Sequence, residues 1–68
     1  MKAIITYPNP DGTYDEVGTR NKWLTSHYKT ERGLLRYAVQ GRPARIEFFH
    51  NIFADPYKVS YVNGAPQP

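Results

Sequence analysis

Residues 25–41, TSHYKTERGLLRYAVQG, decide the fold, because no other stretch of the chain carries helical periodicity. Wound at about 100° per residue, Leu34, Leu35, Ala38 and Val39 fall on one arc, with Tyr28 beside them if the helix starts early. Lys29, Arg32, Arg36 and Gln40 fall on the opposite arc. The apolar arc needs a sheet to cover, and the basic arc faces water or something negative. Thr25, Ser26 and Thr30 are the N-cap candidates. Gly33 costs the helix about 1 kcal/mol relative to Ala, which favours an ordered start only at Thr30. Gly41 suits the position just past the end, and Pro43 prevents continuation.

Downstream, residues 44–50 are the best strand. Ala44, Ile46, Phe48 and His50 lie on one face, and Arg45, Glu47 and Phe49 on the other. Residues 51–56 read as a loop, and residues 57–62 as a last strand with Tyr57, Val59 and Tyr61 on one face. A single domain over 1–62 then gives way to residues 63–68, whose glycine and two prolines, with only Ala65 as an apolar anchor, read as a flexible tail. Upstream, residues 2–7 form a strand that can bury either face, which suits a central place in the sheet. Pro8, Asn9, Pro10, Asp11 and Gly12 are the strongest turn signal, and residues 13–17 return as a second strand to close a hairpin. Residues 18–24 either extend that strand or form a loop. Trp23 within them packs back on the helix more readily than it stacks on a ligand. The order β-β-α-β-β describes one small α+β domain, with one helix packed on one face of a small antiparallel sheet. The other face is expected to be partly wet and to carry Arg45, Glu47 and Phe49.

Sixty-eight residues leave no room for a second core. Cysteine is absent, so neither disulfides nor a thiolate zinc site is available, and aromatics, 15% of the chain, must supply much of the packed area. No apolar run approaches the length of a membrane span, and the run Ala3, Ile4, Ile5 is too short for a secretory signal. The expected location is the cytoplasm. The formal charge of +3 is unevenly distributed. Between residues 20 and 45, seven cations (Arg20, Lys22, Lys29, Arg32, Arg36, Arg42 and Arg45) face one acid, Glu31. That polarity points to an anionic partner, either nucleic acid or an acidic protein surface, against the plainer reading of a well-solvated surface.

Enzymatic chemistry finds no foothold. His50, Asp55 and Ser60 are the residue types of a hydrolytic triad, yet nothing like a nucleophile elbow surrounds Ser60. Asp11, Asp15 and Glu16 sit at an exposed turn and hairpin, where no desolvation tunes a carboxyl. His27 and His50 are the only nitrogen ligands, and residues 9–16 lack the spacing of a calcium loop, so neither metal nor cofactor is expected. The helix's apolar arc is only as wide as a sheet requires, which argues against a membrane surface.

Two binding readings remain. In the first, Arg20, Lys22, Lys29, Arg32, Arg36, Arg42 and Arg45 contact nucleic-acid phosphates, while Trp23, Tyr28 or Phe49 stacks on bases. No motif specific to RNA or DNA accompanies them. In the second, Phe49, Phe53, Tyr57 and Tyr61 form the apolar centre of a protein contact or a homodimer. Small modifiers of larger machines, including many encoded by phages and mobile elements, have this size. The plainer reading of Phe53 is that it folds back to cap the core. The central charge favours the first reading.

Overall fold

The computed structural model describes residues 2–14, 23–24, 28–51 and 53–67, with Trp23 and Leu24 described by backbone alone. Strand β1 (Lys2–Thr6) lies between β2 (Trp23–Leu24) and β3 (Ala44–Phe49), and β4 (Lys58–Val62) forms the far edge, giving the sheet order β2-β1-β3-β4. All three pairings are antiparallel. The fold is a small α+β domain, and β1 takes the central place that its two apolar faces allow. Ala3, Ile4 and Ile5 are all buried.

The turn at residues 8–12 forms as expected. Gly12 N–H donates to Asn9 O at 2.9 Å and Asn9 N–H to Thr13 O at 2.7 Å, with Gly12 at φ 85°. Of the strand expected over residues 13–17, Thr13 and Tyr14 are not in a strand, and residues 15–17 lie outside the described residues. The strand that pairs with β1 comes later, with Leu24 opposite Ala3 and Trp23 opposite Ile4. The turn chemistry is local and legible; the choice of pairing partner is not.

Helix α1 (Glu31–Leu34) starts at Thr30, the latest of the three candidates. Thr30 is extended (φ −132°, ψ 153°), and its hydroxyl accepts from Gly33 N–H at 3.1 Å. Such a cap contributes about 1 kcal/mol. The helix continues as a π-helical segment, Leu35–Val39, closed by Gln40 N–H donating to Leu35 O at 2.9 Å. A physical reason lies in the packing. Leu34 and Val39 are both fully buried, yet five residues at α-helical pitch would separate them by about 140°. The wider i→i+5 turn brings them toward one face. The left-handed residue that ends the helix is Gln40 (φ 54°), one position before the expected Gly41, which is itself left-handed at φ 74°.

Leu34 and Val39 cover an apolar cluster on one sheet face made of Ala3, Ile5, Ala44, Ile46 and Phe48. Tyr28, Leu35, Ala38, Tyr7 and Val62 pack around its rim. A salt bridge from Lys58 Nζ to Glu31 Oε2, 2.9 Å, ties the helix start to β4, and being exposed it adds at most about 1 kcal/mol.

Register places Ile4 beside Glu47 and Val59, Thr6 beside Arg45 and Tyr61, and Lys2 beside Phe49 on the opposite face. This face is partly wet, with Val59 exposed and Lys2, Arg45 and Tyr61 half-buried, but it buries Glu47 and Phe49 together with Ile4 and Thr6. Tyr14 crosses it, with its ring 5.8 Å from that of Tyr61 and beneath the Arg45 guanidinium at 4.8 Å. Residues 63–66 take part as well. Asn63 and Gly64, both at positive φ, turn the chain back, Ala65 N–H donates to Val62 O at 3.1 Å, and Tyr14 Oη donates to Pro66 O at 2.6 Å.

Candidate functional site

The seven cations separate into groups that the sequence does not distinguish. Arg20 and Lys22 lie outside the described residues. Arg42 is engaged by the helix end: its Nε donates to Val39 O at 3.0 Å and its Nη2 to Ala38 O at 2.8 Å, while its guanidinium lies 4.4 Å over the Tyr7 ring. A cation there satisfies orphan carbonyls and complements the negative end of the helix dipole. Arg45 belongs to the covered face, with Nη2 at 3.3 Å from Glu47 Oε1 and its side chain only 13% exposed. Arg42 and Arg45 are thus engaged by near neighbours in sequence, Ala38, Val39 and Glu47, and by the distant rings of Tyr7 and Tyr14.

Arg32 and Arg36 are exposed on the helix, and Lys29, just before its N-cap, and Gln40, its left-handed C-cap, are exposed at its two ends. Arg36 lies 5.3 Å over the ring of Tyr37, itself 59% exposed. The only acid of this segment, Glu31, is turned to Lys58. Among the described residues no carboxylate pairs with Lys29, Arg32 or Arg36. The result, among the described residues, is a short ridge of positive charge at and just before the helix with no paired carboxylate.

The aromatic candidates also separate. Phe49 is buried, so it neither stacks on a base nor anchors a surface patch. Tyr28 is half-buried against the core cluster. The side chain of Trp23 lies outside the described structure. Of the proposed contact patch, Tyr61 is half-buried against Tyr14, whereas Tyr57 turns to the other side, its ring 6.3 Å from Phe48 and stacked at 4.2 Å on His50. The four residues do not form one surface. Phe53 is the exception to its plainer reading, since it is 94% exposed at the tip of the β3–β4 loop. Its N–H donates to Asn51 Oδ1 at 2.9 Å, and Ala54 N–H to Asn51 O at 3.3 Å, which fixes the loop that presents it. His50, expected on the inner face of a strand, is exposed beyond the end of β3.

Sequence reasoning missed one polar cluster. Glu47 is 2% exposed, and its Oε1 has no well-aligned hydrogen bond among the described residues, so the contact with Arg45 is one of charge. Its signal was the i, i+2 spacing of opposite charges on one strand face, which in an isolated strand equally describes a wet surface. Near it, desolvation raises the Tyr14 phenol above its ordinary value, with Tyr61 acting in the same direction and Arg45 against it. Asp11, by contrast, is held below the usual carboxylate range, chiefly by the Thr13 hydroxyl at 2.6 Å and then by the Thr13 N–H at 3.0 Å.

No group of three or more His, Asp or Glu side chains is placed to hold a metal among the described residues. None of the described helices is long and apolar enough to cross a membrane. No protein-family model, curated protein or solved structure matches this chain.

Proposed function

We propose that this is a small, non-enzymatic cytoplasmic protein that binds an anionic partner through the outer face of its helix, most concretely the phosphate backbone of a nucleic acid. The observation that carries the reading is the ridge of Lys29, Arg32 and Arg36, exposed together while their one neighbouring acid is engaged by Lys58. Each phosphate contact releases condensed counterions, so binding of this kind falls steeply with salt. Arg42 and Arg45 do not enter the contact set. Contacts of this kind to phosphates position the backbone and carry little sequence preference.

The test is fluorescence anisotropy of labelled single- and double-stranded oligonucleotides across a salt series. Arg32→Ala combined with Arg36→Ala is expected to weaken binding and to flatten the salt slope by about two, one for each lost phosphate contact. Circular dichroism checks that the fold persists. Absence of binding at low salt, or binding indifferent to the double variant, would sink the proposal.

A second reading has one observation in its favour, the 94% exposure of Phe53 on an ordered loop. An exposed aromatic on an ordered loop suits insertion into a pocket of a larger protein. Phe53→Ser separates the two readings: it leaves oligonucleotide binding unchanged if the helix is the working surface.

A further inference from the structure

The outer edge of β4 is a second unpartnered feature, distinct from the basic ridge. Among the described residues no strand pairs with it, and β4 lies at the end of the sheet order. After β4 the chain makes an Asn63–Gly64 turn with both residues at positive φ, the conformation that ordinarily starts a tight hairpin. Yet residues 65–67 add no strand to β4, and the Pro66 carbonyl is held instead by Tyr14. Val59, near the middle of β4, is left 44% exposed. Edge strands of this kind are usually blunted by an outward charge. The one charge on β4, Lys58, is turned back onto Glu31 at 2.9 Å.

We infer that this edge pairs with the same edge of a second copy of the chain, β4 against β4 antiparallel about a twofold axis at Ser60. The strand is self-complementary in that register. Ser60 meets its own copy, Val59 lies opposite Tyr61 of the second copy, and Lys58 lies opposite Val62 of the second copy. Aromatic and β-branched neighbours across strands stabilise pairing, whereas like charges directly opposite oppose it. Centring on Ser60 uses all five residues and keeps the two Lys58 side chains at opposite ends. Shifting the axis by two residues toward the loop would set Lys58 against itself. A twofold axis perpendicular to the sheet joins two four-stranded sheets into one of eight and leaves both helices on the same face. Two basic ridges then lie on one side of the dimer.

Analytical ultracentrifugation without nucleic acid tests this directly. The wild-type chain is expected to show a reversible monomer–dimer equilibrium that tightens as salt rises, because each copy carries a net +3. That salt response has the opposite sign to phosphate binding, so the two ideas fail separately. Ser60→Glu and Ser60→Lys, each alone, place like charges across the axis and are expected to weaken the dimer about tenfold or more. An equimolar mixture of the two variants restores association through opposite charges, which a merely misfolded variant would not do. A wild-type chain that stays monomeric at high protein concentration overturns the inference. So does a dimer that ignores both Ser60 substitutions.

Discussion

The two faces of the central sheet bury comparable side chains by opposite means. On the helix side, Ala3, Ile5, Ala44, Ile46 and Phe48 meet Leu34 and Val39 in an apolar cluster. On the far side, Ile4 and Phe49 share their burial with Thr6, Glu47 and most of Arg45, beneath Tyr14. The first face is held by area alone, which is tolerant of register and direction. The second depends on a charge contact between neighbours on β3, which tolerates neither the loss of a partner nor the entry of water. Hence a deletion on the first face costs packing, and a deletion on the second strands a charge.

The largest effect is expected from Phe48→Ala. Removing a fully buried aromatic costs about 3–5 kcal/mol, against a total stability of roughly 3–10 kcal/mol for a chain of this size. Loss of a cooperative urea transition would register it. Were Phe48→Ala milder than a change on the far face, the ranking of the two faces would reverse. Next comes Arg45→Met, which leaves the Glu47 carboxylate buried and unpaired, at about 3 kcal/mol, the low end for broken buried pairs because Arg45 keeps some access to water. The paired change Arg45→Met with Glu47→Leu is expected to return close to wild type, or above it, in a double-mutant cycle. If the double variant is as unstable as the single one, the far face is not limited by the stranded charge.

A smaller gain is expected from Gly33→Ala. A methyl there would meet Thr30 Oγ1 at 3.4 Å and Tyr28 Cδ1 at 4.0 Å, both ordinary contacts. The helix therefore gains about 0.5–1 kcal/mol, read as a higher urea midpoint at unchanged slope. A loss instead would mean that the Thr30 cap cannot give way at all. The smallest effect belongs to the turn that delivers Tyr14 to the far face. Because the Asp11 pKa is depressed in the folded state, its contribution is present above the unfolded carboxylate's pKa and fades as pH falls through the folded value. Thr13→Val removes the hydroxyl that is the main cause, so NMR titration should find Asp11 moved back toward the ordinary carboxylate range.

The parts of this molecule that were legible beforehand are those fixed within a few residues. Thr30 and Gly33 set the helix start, and Leu34 and Val39 its buried side. The alternation separated the faces within residues 44–49 and 58–62, but it grouped Tyr57 with Val59 and Tyr61, whereas Tyr57 lies against Phe48 and His50. What failed was any judgement that depended on what arrives from far along the chain. Glu47 and Phe49 looked solvent-facing by alternation, yet both are buried. Arg42 and Arg45 carry the same formal charge as Arg32 and Arg36, but the distant rings of Tyr7 and Tyr14 lie against them, beside local helix carbonyls and a carboxylate. Phe53 looked like a core cap, and the loop geometry set by Asn51 turns it outward.

The amino-acid sequence by itself determined strands β1, β3 and β4, the Thr30 N-cap, the turn at residues 8–12 and the buried side of the helix. Each depends on backbone preference or on a period that neighbouring residues enforce. The tertiary structure alone decided the partner of β1, the cover over the second sheet face, and which cations remain available at the surface. Those outcomes depend on pairings between residues distant in sequence, which local periodicity does not encode.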